Sequence, residues 1–476
     1  MSGISLGRVT TLLLFGRTVG YGLSLVNSVI LARVLGVERL GAYAYAMGVA
    51  ALFGLLPNLG ISTVVTRSIA REPEAAGGVV RAAIHAQILL AGGVLVLIPA
   101  FAAVLPEQPV PLGYVILAAA QLAVGTLSWP YLAVLGGRAR FDHLAAAELA
   151  SGCAGTVGIL AAAAVHGGVV AFLLAHLLAA GFAVLVARHL GLRFFPTGDR
   201  GRIGLGVLIR QAAPLGATAA VQSLYTRLDI VMLGQLASRT ALGLYSAAYK
   251  PINMAVYFGN SISGPLLPLM AQGPRQGAPT AFQRAMRGLG VTAPAFGLAC
   301  GGLAAPLLRL LFGAEYLPAA PIMIILAWSA AANWLYAPLG ISLQARGHER
   351  IWLLGVIAGL VINAGANFWA IPRWQGIGAA AATLTSEAVL LVLGTAFVWY
   401  RLSIVPSSRP LMSIVAATAA GAAVLLAAQG LGPLPATAAA LAVYGGLAFA
   451  FRIVTGEDVT LVAEWVRQAA GAWSRG

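Results

Sequence analysis

Leu40-Gly41-Ala42-Tyr43, with Tyr45 two residues on, recurs in the second half of the chain as Leu242-Gly243-Leu244-Tyr245, followed by Tyr249. Each copy directly follows a short connection that carries an arginine, Arg39 in the first and Arg239 in the second. Self-similarity at so long a period marks two related sets of elements. A helical membrane span needs about 20 mostly apolar residues, because hydrocarbon leaves every backbone polar group to be satisfied within the segment. Working outward from the repeats, such spans are expected at 10–32, 41–66, 82–105, 111–135, 143–165, 168–188, 207–236, 241–271, 288–312, 320–344, 351–372, 377–400, 411–430 and 434–452, with kinks at Pro57, Pro265 and Pro268. Each repeat then opens the second helix of a six-helix set. Six is even, so both sets begin on the same face and are parallel copies about an axis along the membrane normal.

The expected fold is therefore all-α: a polytopic membrane protein with 14 transmembrane helices, two pseudo-symmetric six-helix lobes around a central cavity, plus two C-terminal helices. The expected divisions are an N-lobe over 1–190, a cytoplasmic linker over 191–206, a C-lobe over 207–401, the last two spans over 402–453 and an amphipathic tail over 454–476. Composition agrees. Hydrophobic residues make up 60% and charged residues 9% of the chain, with mean hydropathy +0.89. A soluble domain carries about a quarter charged residues.

Orientation follows from the arginines, since Lys250 is the only lysine. One set of loops holds Arg67, Arg71, Arg81, Arg138, Arg140, Arg188, Arg193, Arg200, Arg202, Arg210, Arg275, Arg284, Arg287, Arg346, Arg350, Arg401 and Arg409, and the termini add Arg8, Arg452, Arg467 and Arg475. The opposite set holds only Arg33, Arg39, Arg239, Arg309 and Arg373. By the positive-inside rule both termini are expected in the cytoplasm. This spread also explains the net charge of +15. Arginines scattered over short juxtamembrane loops do not form the aromatic-interleaved basic domain of a nucleic-acid binder, so no nucleic acid is expected as partner.

Several enzyme classes are excluded. No outer loop except Pro106 to Pro111 is long enough to mount catalytic carboxylates outside the membrane. The single lysine follows Ala248-Tyr249 rather than glycine, so there is no phosphate-binding Walker loop. The histidines His85, His143, His166, His176, His189 and His348 are scattered singly, read as isolated polar residues, and no metal or cofactor is expected. Cys153 and Cys300 both fall within spans and read as structural.

Three cations fall inside the spans: Arg17, Arg227 and Lys250. Each costs about 2.5 to 3.5 kcal/mol at mid-membrane, which water in a cavity, an anionic ligand or an interhelical ion pair must offset, and Asp229 can neutralise only one of the three. Helix periodicity groups other polar residues with them. Arg17, Tyr21, Ser24 and Ser28 share one face of the first span. Ser246, Lys250, Asn253, Tyr257 and Asn260 share one face of the eighth. Gln211, Thr218, Gln222, Tyr225 and Asp229 share one face of the seventh, with Arg227 turned about 200° from Asp229. The candidate substrate-binding set is therefore Arg17, Tyr21, Ser24, Gln222, Tyr225, Arg227, Asp229, Lys250, Asn253 and Tyr257. Asp229 and Glu387 are candidate ion-coupling residues, and Asn333, Asn363 and Asn367 are read as hydrogen bonds between helices.

Asn363-x3-Asn367, Ile371-Pro372, Gly376-x-Gly378-Ala379-Ala380 and the stretch from Ala382-Thr383-Leu384 to Ser386-Glu387 resemble helices 11 and 12 of the bacterial polysaccharide-biosynthesis flippases. The Leu-Gly-x-Tyr repeats, Pro265 to Pro268, and Thr455-Gly456-Glu457-Asp458 opening an amphipathic helix extend the resemblance over essentially the whole chain. That family belongs to the multidrug/oligosaccharidyl-lipid/polysaccharide exporter superfamily. The resemblance implies translocation of undecaprenyl-pyrophosphate-linked oligosaccharide from the inner to the outer leaflet of a bacterial inner membrane, for cell-surface polysaccharide. It implies a cationic cavity for the pyrophosphate, with membrane lipids, a polysaccharide polymerase and glycosyltransferases as partners. Arg17, Lys250 and Arg227 lie on helices where the family places cavity cations. The alternatives are a cation-coupled multidrug and toxin exporter, a lipid II flippase, and a non-transporting scaffold for polysaccharide enzymes.

Overall fold

The computed structural model describes residues 6–74, 76–196, 198, 204–263, 270, 278–402 and 408–453. Within its helices, side chains are not described for 6–18, 205, 213–220, 222, 258, 261–263, 278–281, 284, 402 and 408–411. The helices run α1 Leu6–Leu52, α2 Ile61–Arg71, α3 Gly77–Val104, α4 Leu112–Thr126, α5 Trp129–Gly137, α6 Phe141–Ala164, α7 Val169–Leu192, α8 Leu205–Leu236 and α9 Arg239–Ser263. They continue as α10 Ala278–Leu311, α11 Ala320–Ala345, α12 Glu349–Leu402, α13 Ser408–Ala427 and α14 Pro433–Ala450, with a short 3-10 helix at Ala314–Ala319. Among the described residues, nine helical stretches are long and apolar enough to cross a membrane. The protein is an all-α polytopic membrane protein.

Two of these stretches exceed any single crossing. Glu349–Arg401 has 53 residues, ~80 Å at 1.5 Å per residue against a hydrocarbon core of ~30 Å. The chain solves this with one non-helical residue, Gln375 at φ 47 and ψ −125. In α1 the same role falls to Gly36 at φ 71 and ψ 172, a left-handed φ that costs glycine little. The short connection expected between the spans over 10–32 and 41–66 is thus a kink at one glycine.

The expected continuous span over 41–66 is interrupted more strongly than a proline kink. Helix α1 stops at Leu52, the chain turns through residues 53–60 around Pro57, with Leu59 at φ 42 and Gly60 at φ 85, and α2 begins at Ile61. The span over 111–135 is likewise split at Leu127 and Ser128 between α4 and α5. Pro265, Pro268 and the tail from 454 lie outside the described residues.

The chain divides into two compact units that do not follow chain order. The first comprises Met1–Met254, Leu311–Pro318 and Val356–Ala382; the second comprises Ala255–Leu310, Ala319–Gly355 and Thr383–Gly476. In the first, α1 packs on α4, α6 and α8, and α7 packs on α4 and α6. Small residues allow the approach, as where Gly158 meets Ala175 and Gly155 meets Ala179. An apolar cluster of Ile61, Val64, Val65 and Ile69 with Val80, Val134 and Leu208 fixes α2 against α3, α5 and α8. In the second unit α13 and α14 form a hairpin, and Leu298, Ala417 and Tyr444 gather around them. The Tyr444 hydroxyl donates to the Val291 carbonyl at 2.8 Å.

The repeat is visible in space within the first unit. A Cβ added at Gly41 would run into the Arg239 carbonyl, and one added at Gly243 into the Val37 carbonyl. The two copies therefore cross backbone to backbone, each through its glycine. Around that crossing Gln235 donates to Tyr45 Oη at 2.5 Å and to the Glu107 carbonyl at 2.9 Å. Arg33 donates to the Leu311 carbonyl at 2.8 Å, and Tyr316 to the Ala32 carbonyl at 2.9 Å.

A second repetition, at the other ends of the helices, is clear only in the backbone. After α5, Arg140 N–H donates to the Leu135 carbonyl at 2.9 Å and Ala139 N–H to Gly136 at 3.1 Å, with Ala139 at φ 55. After α11, His348 N–H donates to Leu343 at 2.9 Å and Gly347 N–H to Gln344 at 3.0 Å, with Gly347 at φ 77. Both are left-handed helix stops that satisfy the last carbonyls.

Candidate functional site

Helix α8 brings polar groups to two faces. Tyr225 and Asp229, four residues apart, are both buried at 6% exposure, as i and i+4 positions on one face require. Arg227 lies between them in sequence and is exposed on the opposite side.

Asp229 is held within the first unit by neutral donors. Tyr245 of the second repeat donates its hydroxyl to Asp229 Oδ2 at 3.0 Å, and Asn367 Nδ2 donates to Oδ1 at 2.7 Å. Asn367 Nδ2 also donates to Asn363 Oδ1 at 2.9 Å, one turn away on α12. The fully buried Asn367 keeps its carbonyl oxygen without a described partner. A carboxylate beside amide oxygens is chemistry suited to a proton or a hard cation. Among the described residues no group of three His, Cys, Asp or Glu gathers to hold a metal. Asn367 therefore does more than tie helices together, since it hydrogen-bonds an intramembrane carboxylate.

The cations form a separate cluster in the same unit. Lys250 on α9 is exposed, as are Asn253 on the same helix and Arg227 on α8. Lys250 is close enough to Arg227 to feel its charge, and His176 on α7 is close enough to feel that of Lys250. Lys250 therefore has charged or titratable neighbours on two other helices, α8 and α7. Among the described residues neither Lys250 nor Arg227 has a carboxylate partner.

His176 is a residue that sequence reasoning missed. Its single occurrence on an apolar helix carries no spacing signal; its significance comes from Tyr43, the counterpart in the first repeat of Tyr245. The Tyr43 hydroxyl lies 3.3 Å from Nε2 and 3.4 Å from Nδ1 of His176, and Nδ1 lies 2.9 Å from the Phe172 carbonyl.

The remaining candidates are dispersed. Tyr21 is half-buried on α1, and Ser24 is exposed, its carbonyl accepting from Ser28 Oγ at 2.8 Å. Arg17 and Gln222 are in helices, but their side chains are not among those described. Tyr257 and Glu387 belong to the second unit. There Glu387, 5% exposed, lies 3.4 and 3.5 Å from Asn333 Nδ2, which also donates to Tyr336 Oη at 3.1 Å. Asn260 Nδ2 donates to Asn333 Oδ1 at 3.2 Å. A cavity of about 410 Å³ in the second unit, between Gly297, Gly301, Trp328, Leu425 and Pro433, contains none of the candidate residues.

This helical architecture is that of transporters of the MOP superfamily. The lipid II flippase MurJ in an inward closed conformation is similar over 92% of this chain and 98% of its own, at 14% identity and TM-score 0.73. An inward-facing multidrug resistance MATE family transporter is similar over 81% of this chain and 94% of its own, at 17% identity and TM-score 0.58. A MOP superfamily transporter from Pyrococcus furiosus, described as having a binding pocket of reverse polarity that suggests a different function, covers 83% of this chain and 95% of its own, at 18% identity and TM-score 0.57. No curated protein sequence matches the chain. The model of the polysaccharide biosynthesis protein family matches residues 6–273. The chain belongs to that family.

Proposed function

We propose that this protein is a flippase for a polyprenyl-diphosphate-linked saccharide in a bacterial inner membrane, working by alternating access. The observation that carries this reading is the pair Lys250 and Arg227, adjacent inside a membrane bundle, accessible, and with no described acidic partner. Two neighbouring cations in a membrane are sustained by an anion that arrives with the cargo. A diphosphate meets them with charge-assisted hydrogen bonds, while Tyr21, Tyr225, Asn253 and Tyr257 are assigned to the sugars. Arg17, Ser24 and Gln222 complete the proposed cavity. No covalent step is needed.

The architecture proposed for this cycle is fourteen spans in two six-helix lobes around a central cavity, with two further C-terminal spans and both termini in the cytoplasm. The backbone crossing at Gly41 and Gly243 supports a state closed on the outer side. Asp229, with Asn363 and Asn367, is proposed to take up the coupling proton or cation, and Glu387 is a second coupling candidate in the other unit.

Two cargoes share the diphosphate chemistry. The family match supports a saccharide destined for polysaccharide, and a repeat-unit oligosaccharide would make a polymerase and glycosyltransferases the partners. The fold comparison favours lipid II, with TM-score 0.73 to a lipid II flippase against 0.58 to a multidrug transporter, and we place lipid II first. An organic cation as cargo is disfavoured by the unpaired positive cluster. The test is reconstitution in proteoliposomes with fluorescent lipid II, a fluorescent polyprenyl-diphosphate oligosaccharide and an organic cation. Movement of either lipid supports the proposal and identifies the cargo. Movement of the organic cation alone overturns it.

A further inference from the structure

We infer that His176 is a third anion-binding side chain of the Lys250 and Arg227 cluster, and that Tyr43 positions it. This inference rests on the diphosphate reading above and extends it to a residue on a helix of the first repeat set.

The three groups lie well inside their helices. At 1.5 Å per residue, His176 is about 10 Å along α7 from Val169, Arg227 about 14 Å from the Leu236 end of α8, and Lys250 about 17 Å along α9 from Arg239. Each of the three nitrogen-bearing side chains thus lies about two to three turns inside its own helix. Among the described residues, the charged and titratable groups that act on the imidazole are Lys250 and the Tyr43 phenol, and Arg227 acts in turn on Lys250. Asp229, the nearest acid in sequence to Arg227, is buried on the opposite face of α8 and occupied by Tyr245 and Asn367.

The ring is oriented from two sides. Nδ1 donates to the Phe172 carbonyl at 2.9 Å, which leaves a lone pair on Nε2 for the Tyr43 hydroxyl at 3.3 Å. The imidazole held in this way lies within the field of Lys250. When a diphosphate enters, Nε2 takes up a proton from the bulk aqueous phase and donates that N–H in a hydrogen bond to a phosphate oxygen. The Tyr43 hydroxyl, released from Nε2, is then free to donate to the same anion. One proton therefore accompanies each diphosphate bound.

The corresponding tyrosines of the two repeats thereby serve different ends. Tyr245 donates to a carboxylate, and Tyr43 donates to an imidazole. The sequence repeat is preserved while its polar partner has changed.

The experiment is titration of the purified full-length protein with inorganic diphosphate, for wild type, His176→Gln, Lys250→Gln, the double variant, and Tyr43→Phe. Loss of one charge-assisted contact weakens binding about tenfold. His176→Gln is expected to show that loss, to be less than additive with Lys250→Gln, and to gain less affinity than wild type between about pH 8 and about pH 6, where an imidazole titrates. Tyr43→Phe is expected to weaken binding in the wild-type background and to be silent with His176→Gln. Competition between diphosphate and flipping of the lipid-linked saccharide in proteoliposomes then places the lipid's own phosphates in the same cluster. If Lys250→Gln loses affinity while His176→Gln binds as wild type with an unchanged pH response, the inference is overturned and the diphosphate reading stands. If wild type itself binds no diphosphate, both fall. Should His176→Gln unfold, a Tyr43→Phe protein that melts normally yet binds as wild type overturns the inference by itself.

Discussion

Gly41 and Gly243 lie on each other's segments, Gly41 against the carbonyl of Arg239 and Gly243 against the carbonyl of Val37. Any side chain at either position must push the two repeats apart. Gly243→Val is therefore expected to open this crossing and favour the opposite state of the transport cycle. In a background with Cys153 and Cys300 replaced, a cysteine at the buried Ser246 should be labelled faster by a membrane-impermeant maleimide added outside intact cells. Equal labelling with and without the substitution would mean that this contact does not seal the outer side.

Asn367 donates 2.7 Å to Asp229 from a fully buried position. Asn367→Leu removes a hydrogen bond to a charged group and leaves the carboxylate underpaired, at a cost of about 1.5 to 3 kcal/mol. The thermal midpoint should fall, and Asp229→Asn in the same protein should restore part of it. A midpoint unchanged by Asn367→Leu would show that the bond contributes nothing to stability.

The matched helix stops after α5 and α11 give a prediction of opposite signs. Ala139 at φ 55 bears the left-handed strain that Gly347 at φ 77 avoids. Ala139→Gly should stabilise and Gly347→Ala destabilise, each by about 1 kcal/mol. Thermal or denaturant unfolding of the purified variants reads both, and the same sign for both would refute the equivalence.

At the start of α6 Asp142 accepts from Arg140 at 2.9 and 3.2 Å and lies 2.9 Å from His143 Nδ1. The hydrogen bonds from Arg140 first, then the contact with His143, hold its carboxyl well below the usual aspartate range. A depressed pKa stabilises the folded state above the unfolded aspartate value and loses that contribution as pH falls through the folded value. The loss should therefore begin below about pH 4. With 47% of the side chain exposed, the effect is screened to ~0.5 kcal/mol. Asp142→Asn should show a flatter stability profile in that acid range than wild type, and parallel profiles would contradict the pairing.

Much of the fold was legible because hydrocarbon enforces long apolar runs and glycine marks close crossings. The Leu-Gly-x-Tyr repeats located the place where the two copies cross, and the run over 168–188 corresponds to α7. The breaks were less legible. The break at Gln375 falls between the expected spans over 351–372 and 377–400, but the turn over 53–60 depends on packing around α2 that no local pattern encodes. Periodicity correctly separates Arg227 from Asp229 on α8. It is blind to Asn367, which reaches Asp229 from a distant helix, and to His176, whose neighbours come from α1 and α9. Arg17 and Gln222 stay where the sequence reading left them, as proposals.

The most direct test of the central claim is the flipping rate of a fluorescent polyprenyl-diphosphate saccharide in proteoliposomes carrying Lys250→Gln, Arg227→Gln or Lys250→Arg. Loss of one charge-assisted contact to the diphosphate is expected to slow transport about tenfold in each glutamine variant, with Lys250→Arg retaining most of the rate. Glutamine variants that melt normally and flip the lipid at the wild-type rate would contradict the account.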